Sequence, residues 1–132
     1  MGRGGAAGAG AVVKVTNAER AGVALFLAYD WAGTEEEIIA FGDAWDALNL
    51  EAFRDHTKRT PQGVAYIDGP APLISDRLDH DVDLPVDAAR VLLKHYPGAR
   101  TPSNLGPAKA RLLRKLRSIV STADKDKEPE GK

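Results

Sequence analysis

Asp76, Asp79, His80, Asp81 and Asp83 crowd metal-ligating side chains into one short stretch of the chain. Carboxylates gathered on a loop are the donor set that Mg²⁺ or Ca²⁺ takes, and Asp76, Asp79 and Asp81 are the residues a metal-dependent nuclease would use. The stretch lacks the mid-loop glycine and the closing glutamate of an EF-hand, so it reads as a solvated acidic loop. His56, His80 and His95 are scattered, and no HExxH pair or cysteine couple joins them into a zinc signature. The chain has no GxSxG elbow and no GxxxxGK[ST] loop, and Ser75, Ser103, Ser118 and Ser121 have no base beside them. Tyr29, Trp31, Phe41 and Trp45 read as core aromatics rather than as platforms for stacking bases. No residue is assigned a catalytic, metal or cofactor role.

The stronger signal is charge. Residues 30–87 hold fourteen acidic and four basic side chains, whereas residues 88–123 hold eight basic and no acidic ones. The total of −1 therefore conceals two opposed halves. Arg90, Lys94 and Arg100 are followed by Lys109, Arg111, Arg114, Lys115 and Arg117 on what reads as a basic amphipathic helix. Such a helix seats nucleic-acid phosphate, an acidic protein surface or an anionic membrane, and it lacks the Trp or Phe that would anchor it in a membrane. The alternative is that the acidic segments of the same fold lie against it and neutralise it.

Residues 104–113, NLGPAKARLL, resemble the second half of a helix-hairpin-helix motif, in which a Gly-x-Gly-Pro turn opens a helix with small and basic residues. The resemblance implies that backbone amides near Asn104 and Gly106, together with the helix N-terminus, hold a DNA phosphate. Asn104 stands where the motif has its first glycine, and the loop from Pro97 to Ser103 is longer than the usual hairpin.

These residues need elements to hold them. Val12, Val13 and Val15 read as a short β stretch, and Asn17 as the N-cap of a helix that is apolar nearly all round from Val23 to Ala28. Thr34 and Glu37 have the spacing of a capping box, with Ile38, Phe41, Trp45 and Leu48 forming the inward stripe of the helix that follows. Asn49 caps a further turn with Leu50 and Phe53. VAYI and LIS, on either side of DGPAP, read as a small hairpin within residues 63–75. Asp83 and Pro85 announce a third helix carrying Val86, Ala89, Leu93 and Tyr96. A fourth runs from about Pro107 to Ser121, with Ala108, Leu112, Leu116 and Val120 at steps of four.

At 132 residues, 43% of them apolar, the chain suits one mainly α (α+β) domain of about four helices, spanning 12–121. Residues 1–11 read as a Gly/Ala leader and 122–132 as a charged tail, both without structure. The longest apolar run is too short to span a membrane, and the absence of cysteine suits a reducing, cytoplasmic setting. A virion-associated setting follows if the source is a phage, which the Ala-, Gly-, Asp- and Arg-rich usage suggests. The expected function is a non-catalytic binding or assembly module whose basic C-terminal helix engages an acidic partner, DNA or RNA first. The alternative is a structural component of a phage or bacterial assembly acting through homo- or hetero-oligomerisation, and a metal-dependent nuclease is the third class.

Overall fold

The computed structural model describes residues 10–29, 33–77 and 79–127. Its regular elements are β1 (Gly10–Thr16), α1 (Asn17–Tyr29), α2 (Glu35–Ala47), β2 (Thr57–Arg59), β3 (Ala65–Ile67), β4 (Asp79–Pro85), α3 (Val86–His95) and α4 (Gly106–Lys127), with short 3-10 turns between them. The chain is mainly helical with a small β component, as its patterning predicts.

Helix α1 lies at the centre. Every residue from Asn17 to Phe26 is buried, so neighbouring elements close over it on all sides, and α4 and the 3-10 turns 50–56 and 71–74 are among them. Phe26 stacks on Tyr96 (centroids 5.2 Å apart) and meets Phe41 edge-on at 5.6 Å, which joins α1 to α2 and to the end of α3. Leu112, Leu113, Leu116 and Ile119 bring α4 onto the same core.

β1 pairs antiparallel with β4, from Gly10 opposite Pro85 to Thr16 opposite Asp79. The acidic stretch read as a loop and a helix cap is therefore a strand. The reason is a period of two that the charge conceals: Val82 and Leu84 are buried while Asp81 and Asp83 face water. Asp83 caps nothing, because α3 begins after Pro85 without a side-chain cap.

The hairpin between α2 and α3 exists with a different partner. β3 takes Ala65–Ile67 from VAYI, but it pairs with Thr57–Arg59, and Ala71–Ile74 forms a 3-10 turn instead of a strand. The N–H groups of Leu73 and Ser75 are spent inside this turn, on the Pro70 and Pro72 carbonyls, and Pro72 has the fixed φ that suits its first residues.

α1 is capped by Thr16 and not by Asn17. Glu19 N–H donates to Thr16 Oγ1 (3.2 Å) while Thr16 N–H donates to Glu19 Oε1 (3.0 Å), a complete capping box. The expected box at Thr34 and Glu37 is also formed. α4 runs past Ser121 to Lys127, so part of the expected tail is helical. Trp31, residues 1–9 and residues 128–132 lie outside the described residues, as does the side chain of Tyr29.

Candidate functional site

Helix geometry places Arg111 and Lys115 one turn apart on the same side of α4. Both reach the carboxylate of Glu19, whose side chain has no solvent exposure. Arg111 Nε–H donates to Oε2 at 3.1 Å, and Lys115 Nζ lies 2.8 Å and 3.0 Å from the two oxygens. Arg111 also pairs with Asp76, which accepts a bond from Thr16 Oγ1–H (3.2 Å), and Lys115 donates to the Lys14 carbonyl (2.7 Å). These two cations bolt α4 to the junction of β1 and α1. Two positive charges on one carboxylate leave it no free lone pair for outside chemistry.

A second polar cluster adjoins the first. Asn17 Oδ1 accepts from Arg20 Nη1–H and lies 2.8 Å from His80 Nε2, while Asn17 Nδ2–H donates to the Pro72 carbonyl at 2.8 Å. Arg20 Nε–H and Nη2–H donate to the carbonyls of Leu48 and Asn49, at the C-terminal end of α2, and the guanidinium lies 5.0 Å from the centroid of the Phe53 ring. Burial lowers the Arg20 pKa from its ordinary value. These bonds tie α1 to the end of α2, to the turn at Pro72 and to β4.

The remaining expected contact residues separate in the same way. Lys109 donates to the Ala99 carbonyl (2.7 Å) and lies over the Tyr96 ring; Arg90 pairs with Asp124 (2.6 Å) and Lys94 with Glu37 (2.7 Å). Gly106 N–H already donates to the Ser103 carbonyl, which removes it as a phosphate donor, while Asn104 is exposed in the turn before α4. Arg114 and Arg117 are exposed and have no ion-pair partner among the described residues, and the same holds for Lys125 further along α4. These three share the outward side of the helix with the exposed small residues Ala110, Ser118 and Ser121.

A second surface of exposed charge lies on α2. The inward arc of this helix is Glu37, Ala40, Phe41 and Ala44, with Leu48 at its cap; Ile38 is 50% exposed and Ile39 62% exposed. The expected stripe is thus rotated away from Ile38. The small Ala40 and Ala44 let α2 approach its neighbours closely, and Glu37 turns inward to meet Lys94. Trp45 is half-buried and donates through Nε1–H to Glu51. Glu35, Glu36, Asp43 and Asp46 are exposed and have no ion-pair partner among the described residues.

Asp81 pairs with Lys14 (3.0 Å), and no group of three His, Asp or Glu residues suited to a metal occurs among the described residues. No described helix is long and apolar enough to cross a membrane. Sequence reasoning missed Glu19, Asn17 and Arg20. The spacing Thr16-x-x-Glu19, identical to that of Thr34-x-x-Glu37, was the signal available for the first of them.

Comparison with family models, with curated proteins and with solved structures finds no match.

Proposed function

We propose that the chain is a non-catalytic assembly module that docks an acidic protein surface on the outward side of α4. One observation carries this reading: once the internal bonds of the basic segment are drawn, Arg114 and Arg117 remain without partners, in line with Lys125. Exposed cations beside small side chains form a flat positive seat that an acidic helix can approach closely.

Nucleic acid is the less favoured anion because so few cations remain for phosphate. Three phosphate contacts give a salt exponent of about −2.7, hence roughly a 40-fold loss of affinity for a fourfold rise in salt, and a correspondingly weak complex.

The test is a titration of the ¹⁵N-labelled chain at low salt with poly-L-glutamate and, separately, with a short DNA duplex. Poly-L-glutamate is expected to shift the amides of Ala110, Arg114, Arg117, Ser118 and Ser121 while leaving Thr16 and Glu19 in place, and R114E/R117E abolishes the shifts. Shifts confined to the duplex titration make the partner nucleic acid, and no shifts with either polyanion overturn the reading.

A further inference from the structure

The acidic surface that α4 docks is carried, we infer, by a second copy of this chain, on the outward side of α2. The inference rests on the reading of α4 just given and names its partner.

The two helices match in sign. α2 presents Glu35, Glu36, Asp43 and Asp46, and α4 presents Arg114, Arg117 and Lys125; all seven are exposed, and none has an ion-pair partner among the described residues. They also match in spacing. Eleven residues separate Glu35 from Asp46, and eleven separate Arg114 from Lys125. Eleven residues make about three turns and about 16 Å of rise, so each pair lies along one line of its helix. Set antiparallel, Asp46 meets Arg114 at one end and Glu35 meets Lys125 at the other.

The interval between the charged ends fits as well. In this alignment Ile39 falls beside Ser121 and Gly42 beside Ser118. Ile39 needs cover, being 62% exposed, and a Cβ built on Gly42 would meet nothing within 4 Å, which leaves that point of α2 open to a neighbouring backbone. Small residues on the facing helix allow the close approach that buries an isoleucine.

Two copies of α2 facing each other are excluded by charge, since eight carboxylates would meet with no cation between them. The contact is therefore heterologous, α2 of one copy on α4 of the next. Each copy keeps one face free, so association continues into a ring or an open chain.

The experiment uses the full chain and two charge-reversal variants, R114D/K125E on α4 and E35K/D46R on α2, studied by size-exclusion chromatography with light scattering. The wild type is expected to associate at low salt and to dissociate as salt rises. Each variant alone is expected to associate at least tenfold more weakly, and an equimolar mixture of the two recovers the wild-type mass, because every junction in the mixture again pairs opposite charges. A wild type that stays monomeric at low salt, or a mixture that stays monomeric while both variants keep the wild-type circular dichroism, overturns the self-docking. If the monomeric wild type still shows the poly-L-glutamate shifts on α4, the docking reading stands and only the identity of the partner falls. If those shifts are absent too, both fall.

Discussion

Lys115 and Glu19 are joined twice, the ammonium lying 2.8 Å from one carboxylate oxygen and 3.0 Å from the other, at a side chain with no solvent exposure. Glu19 also closes the Thr16 capping box and holds Arg111. Removing it takes the shared buried carboxylate from two partly buried cations, leaving Arg111 with Asp76 and Lys115 with the Lys14 carbonyl, and opens the start of α1. Glu19→Ala is expected to lower stability by about 3 kcal/mol, whereas Lys115→Met, which leaves the Arg111 pair in place, lowers it by about 1 kcal/mol. Urea denaturation with an unchanged slope is the measurement. Equal losses for the two variants would mean that the carboxylate is not the centre of the cluster.

The hydroxyl of Tyr96 is buried, has no hydrogen-bond partner among the described residues, and lies against Gly22, in the space a Cβ on that residue would occupy. Burial, and to a lesser degree the charge of Glu19, raises its pKa and keeps it neutral. Tyr96→Phe removes an unpaired polar atom and is expected to be neutral or stabilising by up to about 1 kcal/mol. Gly22→Ala is expected to cost about 1–3 kcal/mol by overpacking. Most of that cost returns when both substitutions are made together, which a double-mutant cycle measures. A simple sum of the single effects would show that the hydroxyl is not what α1 must avoid.

How far the sequence discloses this arrangement depends on the range of the interaction. The box at Thr34 and Glu37 and the helical spans are local, and local spacing announces them. The strand Asp79–Pro85 is hidden because its inward residues, Val82 and Leu84, sit among aspartates whose charge dominates the reading. Ile38 lies outside the core because tertiary packing chose the arc centred on Ala40 and Ala44, and spacing alone does not reveal which arc a neighbour will cover. The largest miss concerns charge. A count by segment sets residues 88–123 against residues 30–87, and Lys94–Glu37 and Arg111–Asp76 do pair across that divide, but the buried anion that Arg111 and Lys115 share is Glu19, from α1, outside both segments. Pairing across the whole chain, unlike composition, is a property of the fold.

Glu37 supplies a pH dependence. The Lys94 ammonium, the Thr34 backbone N–H and the His95 ring hold its carboxyl down at about 2, against an ordinary value of 4.5. A carboxyl with a lowered folded-state pKa contributes stability that is fully present above its unfolded value and is lost as pH falls through the folded one. The loss therefore runs from about pH 4.5 down to about pH 2. Glu37→Gln is expected to flatten the curve of unfolding midpoint against pH in that window and to leave its shape unchanged at higher pH. Parallel curves for wild type and variant would remove Glu37 from the acid transition.

Arg20 closes the C-terminal end of α2 from another helix. Its three bonds go to the Leu48 and Asn49 carbonyls and to Asn17 Oδ1, and Asn49 is the one non-glycine residue with positive φ among those described (54°). The last carbonyls of a helix carry its negative pole, so the guanidinium answers both their lone pairs and their dipole. Three acceptors in different directions demand a planar fork, which lysine lacks. Arg20→Lys is therefore expected to cost about 2 kcal/mol even though charge is retained, and Arg20→Met, which leaves the carbonyls without donors, about 3 kcal/mol or more. Hydrogen exchange gives a reading that global stability does not. In both variants the amides of Leu48 and Asn49, which bond back to Ala44 and Asp46, should lose protection before those of α4. If Arg20→Lys matches the wild type in stability and in that exchange, the positive charge alone suffices and the fork is dispensable.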